Sequence, residues 1–336
     1  MNGQIKRIGV LTSGGDAPGM NAAVRAVART ALANGVECIG IRRGYSGLIN
    51  SDFIRMDGSS VSHIINKGGT MLYTARSQEF TTREGRDQAI RTCKLLGLDA
   101  LVAIGGDGTF RGALALSRQV AEYGHKLDVV GIPATIDNDI SCSQYTIGFD
   151  TACNTAIDCI DKLRDTMQSH ERCSVVEVMG RHAGYLALYV GIAVGAHAVL
   201  IPERELDFEK DVVEKIRSAR LAGSTHYMVV VAEGAGNAYN IAQRIQNEMG
   251  IDPRVTVLGH IQRGGSPTAR DRETASRMGY EAVRCLLEGK GTRVVVTSEG
   301  HIIDMDMEEA LAMVKPFQME RYDILGALTQ NYKSPF

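Results

Sequence analysis

The chain has 336 residues, 44% of them hydrophobic, enough for one large domain or two ordinary ones. Lys plus Arg number 37 against 39 Asp plus Glu, a net charge of −2, so there is no basic excess to favour nucleic acid or an anionic membrane surface. The seven cysteines include no CxxC pair and read as free thiols in a reducing compartment. The segment MNGQIKRIGVLT carries charge where a signal peptide is apolar, and no apolar run reaches membrane-spanning length, so a soluble cytoplasmic protein is expected.

Short β-branched runs alternate with amphipathic segments along the chain. Strands are expected at 7–12 (RIGVLT), 36–41, 100–106, 129–134, 174–180, 198–202, 227–234, 254–260 and 293–298. Helical patterns lie between them, among them 22–35, 112–124, 154–167, 212–223, 241–250 and 274–289, several of which close on a glycine. Apolar strands alternating with helices give parallel sheets covered on both faces. Nine strands exceed one comfortable sheet, so two α/β lobes are expected, and the lack of a Pro/Ser-rich linker suggests that they exchange chain. Ligands of such sheets gather at the carboxyl ends of the strands.

The first such end is LTSGGDAPGMNAAVRA (11–26), where a strand stops at Ser13-Gly14-Gly15 and a helix follows Pro18-Gly19. Glycines let an anion approach the backbone, and a helix start offers it unpaired N–H groups. The segment is neither a G-x-G-x-x-G nor a Walker A loop, and a plain tight turn is the alternative. The second end, LVAIGGDGTF (101–110), adds an acid, Asp107, beside Gly106, Gly108 and Thr109. A carboxylate next to phosphate-facing amides repels the ligand unless a divalent cation intervenes, which suits a magnesium–polyphosphate site. Alternatively, Asp107 simply caps the next helix.

In PATIDNDI (133–140), Asp137 and Asp139 flank Asn138. In extended chain both carboxylates face one way, so one could accept a hydroxyl proton while the other orients an arginine or a hydrated Mg²⁺. An Asx-rich turn is the competing reading. Arg181 in VMGRHAG, and Arg263 with His260 in VLGHIQRGGSP, place guanidinium groups at further strand ends, as a phosphorylated substrate requires. Glu233, ending VVVAEG, would accept hydroxyls of a polyol, against a default reading as a surface acid, and a polar core residue is an equal reading of His260. Two phosphate sites, a metal carboxylate and a base together describe phosphoryl transfer from a nucleotide to a sugar phosphate.

The motifs LTSGGDAPGMNA, IGGDGT, TIDNDI, YTIGFDTA, SVVEVMGR and VLGHIQRGGSP resemble, in order and spacing, the bacterial-type 6-phosphofructokinase family. The resemblance implies transfer of the ATP γ-phosphoryl group to the 1-hydroxyl of fructose 6-phosphate with Mg²⁺. It also implies two Rossmann-like lobes with mostly parallel sheets and an active site in the cleft between them. The larger, ATP-binding lobe is expected at 1–148 plus 262–312, and the smaller, fructose 6-phosphate-binding lobe at 149–261 plus 313–336. By that resemblance Asp137 is the base, Thr135 and Asp139 sit beside it, and Arg181 neutralises developing charge. Asp107 engages Mg²⁺, and Gly15, Tyr45, Arg76, Gly106, Gly108 and Thr109 line the ATP site. Met179, Gly180, Glu233, His260 and Arg263 hold the sugar phosphate, completed by Arg172 and Arg254 from a neighbouring subunit of a homo-oligomer, usually a tetramer.

Three departures stand out. Pyrophosphate users of this family commonly carry Asp after the metal-site aspartate and Lys before Thr-Ile-Asp; here the first position is Gly108, which favours ATP, and the second is Ala134, which replaces the usual ATP-type glycine and adds one methyl group but no charge. Thr81 replaces an arginine of the typical enzyme, with Arg83 and Arg86 following, and is assigned no role. At the effector site Arg25, Arg29 and Arg164 remain, but Ala222, Ser224 and Thr225 stand where cations are usual. Gly58 and Ser59 replace an Arg-Tyr pair, and His197 replaces a metal-binding glutamate, so little response to ADP or phosphoenolpyruvate is expected. The rivals are a pyrophosphate-dependent enzyme of the same fold, a nicotinamide dehydrogenase that the absent G-x-G-x-x-G disfavours, and an inactive regulatory subunit that the presence of Asp107 and Asp137 disfavours.

Overall fold

The computed structural model describes residues 5–329. The first four and last seven positions, which the expected lobes and the reading of the amino-terminal segment include, lie outside the described residues. In chain order the elements are β1 (Arg7–Ser13), α1 (Met20–Ala33), β2 (Glu37–Ile41), α2 (Tyr45–Asn50), β3 (Phe53–Met56), α3 (Arg83–Leu96), β4 (Ala100–Gly105), α4 (Asp107–Glu122), β5 (Asp128–Pro133) and α5 (Phe149–His170). They continue as β6 (Cys173–Val178), α6 (Tyr185–Ala193), β7 (Ala198–Leu200), α7 (Glu214–Leu221), β8 (Tyr227–Ala232), α8 (Ala238–Met249), β9 (Arg254–Val257), α9 (Ala269–Leu287), β10 (Arg293–Ser298), β11 (His301–Asp306), α10 (Met307–Ala312) and α11 (Met319–Thr329). All nine expected strands form. Two more, β3 and β11, pair antiparallel at the edges of the larger sheet.

The chain divides into two compact units. The first comprises Met1–Thr135, Ile140–Thr151 and Arg263–Lys315, and the second Ile136–Asp139, Ala152–Gln262 and Pro316–Phe336. The first unit holds a seven-stranded sheet in the order β11-β10-β5-β4-β1-β2-β3. Its strands β4 and β5 are buried along their whole length, as helices on both faces of a parallel sheet require. Phe110, Leu116 and Val120 of α4 pack into this core, and Gly131 of β5 leaves room for the Phe110 ring, 2.7 Å from where a Cβ would stand. The strand order reverses between β1 and β4, which pair in parallel with Ser13 opposite Gly105. This is the switch point at which the connections diverge and a ligand crevice opens.

The second unit holds a four-stranded parallel sheet, β7-β8-β6-β9. Val175, Val229 and Val231 pack with Phe208, Ile216 and Ile245 in its core. None of the seven cysteines, all among the described residues, forms a disulfide; five are buried, and Cys142 and Cys159 are half-buried. Burial pushes the Cys38, Cys93 and Cys173 thiols up to about 12, so they stay protonated and inert. Among the described residues no helix is long and apolar enough to cross a membrane.

Candidate active site

At the switch point of the first unit, glycine turns follow both β1 and β4. Gly14 adopts φ +90°, a turn that ends β1, and its carbonyl accepts a hydrogen bond from the Thr74 hydroxyl at 2.6 Å. One strand over, Gly106 precedes α4, and Asp107 is the first residue of that helix. The helix therefore starts five residues earlier than its apolar pattern suggests, and the alternative of Asp107 as a capping residue is overturned. Gly106 occupies the cap position and makes no side-chain cap hydrogen bond. The Thr109 hydroxyl, buried, donates to the Ser13 carbonyl at 3.1 Å and ties the two loops together. A Cβ at Gly108 would meet nothing within 4 Å, so this position opens onto free space.

The Asp107 carboxylate accepts a hydrogen bond from Arg111 Nε at 2.9 Å, one turn further on, and the side chains are 49% and 62% exposed. So exposed a pair contributes at most about 1 kcal/mol and does not lock the carboxylate against a cation. A single accessible hard oxygen donor beside helix N–H groups fits Mg²⁺, which fills its shell with water and phosphate oxygens. Arg111 was missed because the expected helix began at 112, hiding its i,i+4 relation to Asp107.

Tyr45 is buried, stacked on Phe80 at 4.0 Å, and its hydroxyl donates to the Thr109 carbonyl, so it supports the loop from beneath. Arg76 is exposed in the loop that Thr74 anchors. The arginines after Thr81 are taken up structurally: Arg86 donates to Gln119 at 2.7 Å and to the Thr81 carbonyl at 2.8 Å, and Arg83 pairs with Glu122. Arg263 also belongs to the first unit. Its Nη1 donates to the Asp16 carbonyl at 3.1 Å and lies 2.6 Å from where a Gly15 Cβ would stand, directly over the glycine turn.

In the second unit, residues 136–139 form a turn with Asn138 at φ +51°, so the extended geometry assumed for the two acids does not occur. The Asx-rich turn was the better reading of the backbone, because Asn tolerates the left-handed conformation. The turn separates the carboxylates by environment: Asp137 is 6% exposed and Asp139 is exposed.

Met179, Gly180 and Arg181 follow β6, Glu233 follows β8, and His260 follows β9, all at the carboxyl edge of the four-stranded sheet. Glu233 Oε1 accepts the backbone N–H groups of Arg181 at 2.6 Å and Gly180 at 3.3 Å. Those two bonds hold Arg181 at φ +58°, and Gly234 is required there because a Cβ would lie 2.4 Å from the Arg181 carbonyl. Gln262, fully buried and missed by sequence reasoning, accepts the Met179 N–H at 2.9 Å. Its place between His260 and Arg263 in HIQR was the only signal. Arg172 precedes β6, and Arg254 opens β9, ion-paired with Asp252 at 3.2 Å. Both lie at the amino edge, the opposite end of the sheet from Glu233.

The chain matches the Phosphofructokinase family profile over residues 7–286. It is 53% identical over 326 residues, 97% of its own length and 100% of the relative's, to an ATP-dependent 6-phosphofructokinase of Clostridium botulinum (strain Loch Maree / Type A3). The chain belongs to the phosphofructokinase family. Phosphofructokinase from Saccharomyces cerevisiae superposes with a TM-score of 0.86 at 36% identity, over 96% of this chain. This chain spans 46% of that yeast chain's length. A pyrophosphate-dependent phosphofructokinase from Marinobacter aquaeolei shares the fold, with a TM-score of 0.85 at 22% identity over 98% of this chain and 93% of that one.

Proposed function

We propose that this chain is an ATP-dependent 6-phosphofructokinase, transferring the γ-phosphoryl group of MgATP to the 1-hydroxyl of fructose 6-phosphate to give fructose 1,6-bisphosphate and ADP, a cytoplasmic step of glycolysis. The observation that carries the reading is the pair of glycine turns at the β1/β4 switch point, with Asp107 on the first turn of α4 and open space at Gly108. An aspartate at 108, as in pyrophosphate users, would crowd and repel the rest of a nucleotide.

The first unit binds the donor: amides of the two glycine turns and of the start of α4 face its phosphates. Asp107 is the residue that would hold Mg²⁺, which when bound would offset the phosphate charge. The second unit binds the sugar phosphate. Asp137 takes the proton of the 1-hydroxyl as the phosphorus–oxygen bond forms, while Arg181 offsets charge on the transferred group. Thr135 and Asp139 flank the base. Glu233 commits Oε1 to the Gly180–Arg181 backbone, leaving Oε2 for a sugar hydroxyl. Met179, Gly180 and His260 line the sugar-phosphate site of the second unit. Arg263 of the first unit, which donates to the Asp16 carbonyl, is a phosphate-binding residue in this reading.

Arg172 and Arg254, at the amino edge of the sheet, reach the 6-phosphate bound to a neighbouring subunit of a tetramer. The effector site responds weakly to ADP and phosphoenolpyruvate. His197 there is neutral: its Nδ1 accepts the Met228 N–H at 3.1 Å, and burial, helped by His226 and Arg164, pushes its pKa down to about 4.

The test is formation of fructose 1,6-bisphosphate by the purified protein with ATP and with pyrophosphate, each with and without Mg²⁺. Turnover with ATP and Mg²⁺, and at most a trace with pyrophosphate, is expected. Equal or faster turnover with pyrophosphate overturns the choice of donor.

A further inference from the structure

Asp271 lies in the first turn of α9, has no exposed surface, and takes part in none of the steps above. Its carboxylate is surrounded by donors. Oδ1 accepts from the Tyr145 hydroxyl at 2.5 Å and the Gly148 N–H at 2.7 Å. Oδ2 accepts from the Thr151 N–H at 2.9 Å and its hydroxyl at 2.5 Å. The Thr151 oxygen in turn accepts from the Thr268 N–H at 3.0 Å, and the Thr268 hydroxyl accepts from the Asp271 N–H at 3.3 Å. A single carboxylate thus sits in the first turn of α9 and receives a first-turn N–H of α5, where two positive helix ends favour an anion. Burial pushes its pKa up, and the converging donors pull it back.

The segment it holds has one further job. Ile147 donates its N–H to the Pro133 carbonyl at 3.0 Å and bridges Ala134 in parallel register. The Thr146 hydroxyl donates to the Thr135 carbonyl at 2.7 Å. Thr135 is the last residue of the first unit before the turn 136–139. A continuous path of hydrogen bonds and short backbone links therefore runs from α9 through residues 145–148 to the residue two before Asp137.

We propose that Asp271 is a positioning residue for phosphoryl transfer: it fixes residues 145–148, which fix the Thr135 carbonyl and so the placement of Asp137. The inference rests on the reading of Asp137 as the base. Displacing a base by about 1 Å can lower turnover roughly 10²-fold without changing what is bound.

The test uses the full-length protein with Asp271→Asn, Thr146→Val and both together, reading kcat, the two KM values and amide exchange. Asp271→Asn keeps the shape but sets an NH2 group against two donors. Its kcat is expected to fall about 10- to 100-fold, with both KM values within about threefold of wild type, and exchange at 134–137 and 145–148 to quicken. Thr146→Val is expected to lower kcat less, and the double variant to lose no more than Asp271→Asn alone, as two changes in one path do. Unchanged kcat and exchange in Asp271→Asn, or losses that multiply in the double variant, overturn the proposal. Should Asp271→Asn fail to fold, unchanged kcat in Thr146→Val overturns it. Full turnover in Asp137→Ser would instead sink the reading of the base, whatever the Asp271 variants do.

Discussion

The carboxyl edges of the two sheets are built from different materials. The edge of the seven-stranded sheet presents backbone: glycine turns after β1 and β4, tied by the Thr74 and Thr109 hydroxyls, with one exposed carboxylate at Asp107. The edge of the four-stranded sheet presents side chains: Arg181, His260 and a Glu233 that also organises the neighbouring backbone. A polyphosphate tail is a string of similar anionic oxygens, which amides and a cation serve well. A sugar phosphate carries stereochemistry, which only placed side chains can read. On the reading proposed here, the first edge holds charge and the second selects and reacts.

The sharpest way to break that comparison is at Asp137. Asp137→Ser is expected to lower kcat by about 10²–10⁴-fold while fructose 6-phosphate binds nearly as before, measured by steady-state kinetics alongside equilibrium binding. A matching loss of sugar affinity would make Asp137 a binding group instead of the base. Gly108→Asp tests the backbone edge: its Cβ meets nothing, so the fold tolerates it. The added charge should nonetheless cut kcat/KM for ATP by about 10²-fold, since like charges brought together cost several kcal/mol. Arg254→Ala, at the amino edge, is expected to raise the KM for fructose 6-phosphate by about 10- to 100-fold with kcat largely kept, the scale of one charged hydrogen bond.

The smallest effect is on stability. His197, with its pKa pushed down to about 4 in the fold against 6.5 when unfolded, makes the unfolded chain the better proton binder in that range. Its contribution is complete above pH 6.5 and is lost as pH falls towards 4, amounting to up to about 3 kcal/mol. His197→Gln should therefore flatten the fall in thermal midpoint between pH 6.5 and 4, and an unchanged slope would show that His197 is not the titrating group.

The two edges were not equally legible in the sequence. The glycine turns and Asp107 announce themselves because conformation and chemistry fall in one short stretch. The second edge was legible only in part, from strand-end arginines and from Glu233 at the end of VVVAEG, and the role of Met179 came from resemblance alone. At 136–139 an extended segment and an Asx-rich turn were both open, because two acids at i,i+2 look alike in sequence; Asn138 in the left-handed region makes it the turn, burying one acid and exposing the other. Strands β3 and β11 escaped notice because FIRM and HIIDMD lie at sheet edges, where half-exposure dilutes the apolar signal. Asp271 was invisible: a lone acid in a helix start gives no hint that Tyr145, Gly148 and Thr151 converge on it.

The division of labour between the edges is tested most directly by calorimetric titration of Asp107→Asn with a non-hydrolysable Mg²⁺–ATP analogue and with fructose 6-phosphate. The account predicts at least a tenfold loss of affinity for the magnesium nucleotide and an unchanged affinity for the sugar phosphate. Loss of sugar phosphate binding, or full retention of nucleotide binding, would contradict it.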